Sequence, residues 1–244
     1  MKLQGRVAVI TGASRGLGRE IARLFAVKGA KLVLVARGEG ALREAAEELS
    51  AKTDVLAIAA DVSENAEGIV AAALERFGRV DILINNASEL GPSPMPPLET
   101  YPWDALLRVL RINAVAPLHL IQLVLPQMKG RGEGVIVNVT SDAGVQAYPG
   151  WGGYGVSKAA LEHLSRVLAA ELEGSGIRVY IVDPGDMNTQ MHRDAEPGVD
   201  LSHLPGPEVV APAFVRLVVE EGAAFGRFEA QKMLPAAPTE AVAR

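Results

Sequence analysis

The chain has 244 residues, of which 49% are hydrophobic and 22% charged, so it is long enough for one sizeable α/β core. The formal charge of −5 argues against a nucleic-acid binder, and the absence of cysteine excludes disulfides, thiol nucleophiles and cysteine-ligated metals. The N-terminus shows no signal-peptide pattern and no apolar run approaches the ~18 residues of a membrane span, so we expect a cytoplasmic protein with no membrane partner.

Short runs rich in valine and isoleucine alternate with helical patterns along the chain. The predicted strands are 6–11, 31–36, 54–59, 80–84, 134–139 and 177–182. The predicted helices are about 16–29, 39–51, 63–77, 103–129, 154–173 and, near the end, 207–221. The strand runs lack polar alternation, which indicates strands covered on both faces, as in a parallel sheet. The series predicts one doubly wound α/β domain over 1–232, with helices on both faces.

The C-terminal part and two loops complete the outline. An edge strand near 226–231 would bring the sheet to about seven strands, and residues 233–244 are predicted to form a weakly ordered tail. Residues 88–102 contain five prolines and are predicted to form a loop. Residues 186–207 follow the sixth strand and look irregular, and a loop of this length is typical of an active-site lid.

The first strand ends in a glycine-rich turn that opens directly into a helix. Glycines permit a tight turn and let backbone N–H groups approach a pyrophosphate at the positive end of the helix. A glycine-rich turn alone is also found without a ligand. The spacing here, T-G-x-x-x-G-x-G from Thr11 to Gly18, resembles the cofactor turn of the short-chain dehydrogenases/reductases. The resemblance implies a Rossmann-type fold and cofactor contacts from Gly12, Ser14, Arg15, Gly16, Leu17 and Gly18.

The tip of the second strand bears on which dinucleotide is bound. Enzymes that select NAD usually place an acid there to hold the ribose 2′-hydroxyl, whereas this tip carries Arg37. Arg37 and Arg15 suit a 2′-phosphate, although both are also consistent with solvated surface charges. The resemblance therefore favours NADP(H) over NAD(H). Asp61 and Val62 match the family's pair beside the adenine ring, and Asp61 alone would also pass as a helix N-cap.

The fourth strand ends in Asn85-Asn86-Ala87-Ser88, where the family usually has N-N-A-G. The resemblance implies that the asparagine amides tie the central strands together and that Asn86 and Ala87 shape the cofactor floor. Taken alone, the asparagines are equally consistent with a simple turn. Ser88 departs from the family glycine and adds a hydroxyl close to the expected nicotinamide ribose.

Tyr154 and Lys158 lie one helical turn apart, a spacing that suits acid–base chemistry. A tyrosine ionises near pH 10, and a neighbouring cation favours its phenolate, so we expect Lys158 to lower the pKa of Tyr154. The resemblance adds Ser141 as the group that holds the substrate oxygen and Asn113 as the support of a water-mediated relay to the lysine. Singly, Ser141 is also consistent with a strand-end cap, Asn113 with a helical polar residue and Lys158 with a surface charge.

Pro184 and Gly185, with Thr189, fit the family's P-G-x-x-x-T, which faces the nicotinamide. An ordinary proline turn would have the same sequence pattern. The residues predicted to contact the substrate are Asp142, Gln146, Tyr148, Trp151, Met187, Met191 and His192. The two methionines and their aromatic neighbours suggest a moderately apolar substrate. The four histidines His119, His163, His192 and His203 show no metal-ligand spacing, so no metal is expected.

The resemblance covers roughly residues 4–190 and implies an NADP(H)-dependent oxidoreductase acting on a carbonyl or secondary alcohol. One alternative is a nucleotide-binding sensor or scaffold without chemistry, and another is a sugar-nucleotide epimerase or dehydratase, whose C-terminal region is usually larger. We expect a homodimer or homotetramer packed through the helices at 103–129 and 154–173. Leu161, Leu164, Val167 and Leu168 would serve such an interface or face the sheet.

Overall fold

The structure is a computed structural model that describes residues 1–220 and 222–234. Within those residues, seven parallel strands form one sheet in the order β3-β2-β1-β4-β5-β6-β7. The strands are β1 Val7–Thr11, β2 Lys31–Ala36, β3 Val55–Ala59, β4 Ile82–Asn85, β5 Gly134–Val139, β6 Ile177–Asp183 and β7 Phe225–Glu229. The predicted parallel, doubly wound sheet is confirmed.

Helices cover both faces of this sheet. They are α1 Gly16–Val27, α2 Glu39–Ser50, α3 Ala66–Phe77, α4 Trp103–Leu110, α5 Ala116–Arg131, α6 Gly152–Glu171, α7 Gln190–Ala195 and α8 Pro207–Val219. Ala8 and Ile10 of β1 pack in the layer that contains α1, α2 and α8. Val7 and Val9 face the opposite layer with α3, α5 and α6. Burial of alternate residues in two apolar layers explains why the strand sequences show no polar alternation.

The helix predicted at 103–129 is interrupted in the structure. A π-helical turn, Arg111–Val115, separates α4 from α5. Pro117 lacks an N–H and so cannot donate the helical hydrogen bond to the carbonyl oxygen of Asn113. In this turn the Ala116 N–H donates to the carbonyl oxygen of Arg111, which lies five residues earlier and not four, so the turn is wider than in an α-helix. The prediction of one regular helix was therefore wrong at this point.

The helical stretch Trp103–Arg131 is 29 residues long, and its most apolar window has a mean hydropathy of 1.5. By length and composition alone this stretch could cross a membrane, although charged and polar residues interrupt its apolar run in the sequence. Half of that window is buried inside the protein, as in a core helix, and α5 packs with α3 in one apolar layer.

The segments predicted as irregular contain short helices. Within 186–207, α7 is capped by Thr189, whose Oγ1 accepts a hydrogen bond from the His192 N–H at 3.3 Å, so the prediction of a wholly irregular segment was wrong. The proline-rich loop contains one 3₁₀ turn, Leu98–Thr100. The edge strand near 226–231 is present as β7. The tail predicted at 233–244 lies outside the described residues from position 235 onward.

Candidate active site

The carboxyl ends of β1 and β4 lie side by side at the point where the strand order reverses, which is where open α/β sheets bind ligands. A groove of about 1010 Å³ opens there. The predicted cofactor-binding and catalytic residues that line it are Gly12, Ser14, Arg15, Gly16, Leu17, Arg37, Asp61, Val62, Asn86, Ala87, Ser141, Tyr154, Lys158, Pro184, Gly185 and Thr189. Gly18 and Asn113 are buried beneath the groove. The structure thus brings the predicted site together.

The glycine turn between β1 and α1 is too closely packed for a side chain at Gly12 and Gly18. Gly12 has a φ of +66°, and a Cβ there would lie 2.7 Å from Asn86 Nδ2. A Cβ on Gly18 would overlap the Gly12 carbonyl oxygen. Asn86 Nδ2 donates to the carbonyl oxygens of Thr11 (2.9 Å) and Gly12 (3.2 Å), which holds the turn against the end of β4. This cradle at the N-terminus of α1 fits the pyrophosphate of a dinucleotide.

Asn85 ties the centre of the sheet together below the groove. Its Nδ2 donates to Asn138 Oδ1 at 2.8 Å, and Asn138 Nδ2 donates to Ser165 Oγ at 2.8 Å. Since all three residues are buried, these bonds satisfy polar groups that would otherwise be costly in the core, although Asn85 Oδ1 has no hydrogen-bond partner among the described residues. The asparagine motif therefore does more than form a turn, because it joins β4, β5 and α6.

Charged side chains gather at the end of the groove next to β2 and β3. Arg37 Nη2 lies 3.3 Å from Glu89 Oε2, and Arg15 is exposed on the glycine turn. Asp61 Oδ1 accepts hydrogen bonds from the N–H and hydroxyl of Ser63 at 2.8 and 2.7 Å. Burial works to raise the pKa of Asp61, but these bonds and the charges of Arg37 and Arg108 together outweigh it and hold the pKa below its usual value. Glu89 was not among the predicted residues.

Asn113 sits in the π-helical turn with its side chain buried and fully hydrogen-bonded. Its Oδ1 accepts from the Glu89 N–H at 2.7 Å and from Ser88 Oγ at 3.2 Å. Its Nδ2 donates to the Glu89 carbonyl oxygen at 2.8 Å and to Ser157 Oγ at 2.9 Å. Asn113 therefore fixes the segment after β4 to the start of α6, and the hydroxyl of Ser88 is accommodated in the same set of bonds.

Tyr154 and Lys158 project from α6 into the groove, and Ser141 reaches it from the end of β5. Lys158 Nζ lies 5.4 Å from the centroid of the Tyr154 ring and donates to the Val139 carbonyl oxygen at 2.9 Å. Ser141 Oγ donates to Asp142 Oδ1 at 3.0 Å. A phenol, an ammonium and a hydroxyl thus line the same groove, as the resemblance implies.

Burial governs the protonation of the pair on α6. It lowers the pKa of Lys158 to about 8, against an opposing effect of the Asp183 charge. Burial raises the pKa of Tyr154, a hydrogen bond with Ser88 lowers it, and the charges of Asp183 and Asp142 raise it further. The prediction that Lys158 lowers the pKa of Tyr154 was wrong. The ammonium binds the Val139 carbonyl oxygen, and burial of the phenol has the largest effect on its pKa.

The turn after β6 is held from both sides. Gly185 has a φ of +70°, and its N–H donates to Asp183 Oδ1 at 2.9 Å. Gln231 Nε2 donates to the carbonyl oxygens of Pro184 (3.1 Å) and Asp186 (2.8 Å). Sequence reasoning missed Gln231 because only the fold brings it from the C-terminal part of the chain to this turn.

A buried ion network lies behind the same turn. Arg227 of β7 donates from Nη2 to Asp183 Oδ2 at 3.2 Å and from Nε to Glu162 Oε1 at 3.0 Å. Thr140 Oγ1 donates to the same Glu162 oxygen at 3.0 Å. Burial raises the pKa of Asp183, although the Gly185 N–H and Arg227 act to lower it. The network connects the edge strand of the sheet to the wall of the groove.

The predicted lid segment approaches the glycine turn. Thr189 Cγ2 lies 4.0 Å from the position that a Cβ on Gly16 would take. On the outer side, Ser93 Oγ of the proline-rich loop donates to the Asp194 carbonyl oxygen of α7 at 2.5 Å. The two loops that flank the mouth of the groove are therefore in contact.

The residues predicted to contact the substrate divide into two groups. Those that line the groove are Asp142, Trp151, Met187, Met191 and His192. Gln146 instead lies exposed on the connection between β5 and α6, as does Tyr148, and their side chains are 2.8 Å apart. The Tyr148 hydroxyl also lies 2.7 Å from Asp142 Oδ2. Tyr148 does not line the groove itself and contacts it indirectly, through Asp142.

Residues 6–200 match the family model described as short chain dehydrogenase. The chain belongs to the short-chain dehydrogenase family. A similar relative is the 1,6-dihydroxycyclohexa-2,4-diene-1-carboxylate dehydrogenase of Pseudomonas putida, which is 40% identical over 188 residues that cover 75% of this chain and 67% of that protein.

Solved structures of short-chain dehydrogenases share this fold. One from Shigella flexneri 2a, complexed with NADP, has a TM-score of 0.85 at 29% identity and covers 94% of this chain and 98% of that chain. NAD⁺-bound xylitol dehydrogenase has a TM-score of 0.83 at 25% identity, with coverage of 94% and 98%. Nicotinamide cofactors of both kinds thus occur among the neighbours of this short-chain dehydrogenase, which is an oxidoreductase by family.

Proposed function

We propose that this short-chain dehydrogenase transfers a hydride reversibly between NADP(H) and a small-molecule carbonyl or secondary alcohol. The main support is that Ser141, Tyr154 and Lys158 line the same groove as the glycine cradle. The nicotinamide, when bound, supplies or accepts the hydride. The moderately apolar lining from Trp151 and Met191 suits a substrate with apolar substituents on the reacting carbon.

The groove residues have separate tasks in this proposal. Tyr154 exchanges a proton with the substrate oxygen, and Ser141 donates a hydrogen bond to that oxygen in place of its bond to Asp142. The Lys158 ammonium, 5.4 Å from the centroid of the Tyr154 ring, holds the nicotinamide ribose. The side chain of Asn113 is fully engaged, so its carbonyl oxygen, which Pro117 leaves free of the regular helical bond, is the group that anchors a water relay.

The preference for NADP(H) rests on the cations at the adenine end of the groove. Arg37 follows β2 directly, Arg15 is exposed on the glycine turn, and both line the groove, where guanidinium groups suit a 2′-phosphate. We further propose that the enzyme assembles as a homodimer or homotetramer.

The test is a titration of the purified protein with NADPH and NADH, followed by a panel of ketones and aldehydes. We expect tighter binding of NADPH and oxidation of NADPH with at least one carbonyl substrate. Tyr154→Phe removes only the hydroxyl, so it is expected to abolish turnover and retain nucleotide binding. Full activity in Tyr154→Phe would refute the assigned role, and failure of both nucleotides to bind would refute the function.

A further inference from the structure

Glu89 places a carboxylate at the end of the groove next to β2, where Arg37 would distinguish NADPH from NADH. Glu89 Oε2 lies 3.3 Å from Arg37 Nη2, and Glu89 Oε1 lies 3.5 Å from Arg108 Nη2. The side chain of Glu89 is 20% exposed, against 55% for Arg37 and 63% for Arg108. The acid is therefore the least exposed member of the group, and it lines the groove.

The position of Glu89 is fixed by the fold. Its backbone N–H donates to Asn113 Oδ1 at 2.7 Å, and its carbonyl oxygen accepts from Asn113 Nδ2 at 2.8 Å. Because the Asn113 amide binds both the N–H and the carbonyl oxygen of Glu89, the backbone of Glu89 has little freedom to move. The carboxylate is thus presented to the groove from a rigid point at the end of β4.

The chemistry of the two charges is opposed. A carboxylate accepts hydrogen bonds from ribose hydroxyls and repels a phosphate, which is why NAD-selective sites carry an acid. A guanidinium binds a phosphate through paired charge-assisted hydrogen bonds. The tip of β2 carries Arg37 and no acid, but Glu89 places a carboxylate against that arginine from β4. Neutralisation of Arg37 by Glu89 weakens its attraction for a 2′-phosphate.

We propose that Glu89 is a specificity-determining residue for the cofactor. It offers an acceptor to the adenosine ribose hydroxyls and holds Arg37 away from a 2′-phosphate, so it narrows the preference for NADPH that the arginines create. The inference rests on the proposed function, since it assumes that the groove binds a nicotinamide dinucleotide.

The test measures binding without any substrate. NADPH and NADH are titrated into the protein and their dissociation constants are read from nicotinamide fluorescence. Glu89→Gln keeps the backbone bonds to Asn113 and removes the charge, so the ratio of the NADH to the NADPH dissociation constant is expected to rise about tenfold. Arg37→Gln in the same background is expected to cancel most of that rise, because the gain comes from the released guanidinium.

Glu44→Gln is the matched control, since it makes the same change in net charge at an exposed position on α2. We expect no change in its ratio, and an equal rise in both variants would overturn the inference. Glu89→Asp, which keeps the charge but withdraws it by one methylene, is expected to give an intermediate ratio and serves if Glu89→Gln folds poorly. An unchanged ratio in Glu89 variants of a protein that binds NADPH overturns the role of Glu89 alone. Absence of binding by the unmodified protein overturns the proposed function and this inference together.

Discussion

Lys158 is buried, with 2% of its surface exposed, and burial lowers its pKa to about 8. A lysine in the unfolded chain ionises at about 10.4, so the unfolded state holds more protons than the folded state between these two values. Stability therefore rises with pH across this window, and the destabilising effect of the buried ammonium is fully present below pH 8. Catalytic placement of the charge comes at the expense of stability.

We expect Lys158→Met to be inactive and, at pH 7, more stable than the unmodified protein by about 1–3 kcal/mol, because the cost of burying a charge is removed. The gain is expected to shrink as the pH approaches 10. Calorimetric melting between pH 6 and pH 10 measures both effects, with Lys52→Met as an exposed control. A lower melting temperature for Lys158→Met at pH 7 would mean that the bond to the Val139 carbonyl outweighs the burial cost.

Asp142 is expected to affect the pH dependence of the reaction, since its charge raises the pKa of Tyr154. In alcohol oxidation the rate rises as the phenol of Tyr154 ionises. Asp142→Asn removes the charge, so the ionisation seen in the profile of kcat/KM is expected to move to lower pH. Asp104→Asn, an equal charge change at an exposed site on α4, serves as the control. A profile that stays in place would exclude electrostatic influence from Asp142.

The spacing of Tyr154 and Lys158 could be predicted because it is local to one helix. Their protonation could not, because burial depends on packing from β5, β6 and the loops around them. Glu89 escaped prediction for a similar reason. Its significance comes from contact with Arg37, which lies far away in the chain, directly after β2.

At the scale of elements, the glycine turn is where β1, α1 and the end of β4 meet closely, with the Asn86 side chain between them. Gly18→Ala would place a Cβ against the Gly12 carbonyl oxygen and close to Asn86 Nδ2. We expect the variant to lose about 1–3 kcal/mol of stability, as overpacking does, and to bind NADPH weakly. Gly130→Ala on α5, where a Cβ meets open space, is the matched control. Chemical denaturation and nucleotide titration measure the two effects, and equal behaviour of the variants would contradict the packing argument.

The interruption between α4 and α5 has a signal in the sequence. Pro117 stands four residues after Asn113 in a run with helical periodicity, and a proline at that spacing removes one regular hydrogen bond. The cap of α7 by Thr189 was hidden for a different reason. Thr189 already had an interpretation in the cofactor motif, and a six-residue helix has too little periodicity to be detected.

At the scale of the whole molecule, α4 and α6 pack against each other and leave apolar side chains exposed. Leu107 on α4 is 57% exposed and Val167 on α6 is 45% exposed. Leu161 and Leu168 are buried in the protein itself, so they cannot serve the predicted interface without a change in packing. Exposed apolar surface on these two helices agrees with the proposed homo-oligomer.

We expect Leu107→Glu combined with Val167→Glu to reduce the mass of the assembly, because charges on an apolar interface are not compensated. Size-exclusion chromatography with light scattering measures the mass. Val27→Glu, which charges an exposed valine at the end of α1, is expected to leave it unchanged. An assembly that keeps its mass in the double variant would place the interface elsewhere.

The overall topology was accessible from the sequence because alternating strands and helices with right-handed connections leave few arrangements. Contacts made by the last part of the described chain were not accessible. Gln231 and Arg227 bind the turn after β6 through bonds that depend on the exact register of β7 with β6. No periodic pattern marks such contacts in advance.

The ion network of Arg227 links the outermost strand to the reaction centre. If β7 detaches, Asp183 and Glu162 lose the cation that they share. Glu162 keeps its ion pair with Arg166, whereas Asp183 loses its ion pair with Arg227, which is costly for a buried carboxylate. We expect low urea concentrations to stop turnover while circular dichroism still reports native helix content. Coincident loss of both signals would mean that the strand separates only in global unfolding. If turnover is lost first, inactivation in mild urea reports the detachment of β7 at the edge of the sheet.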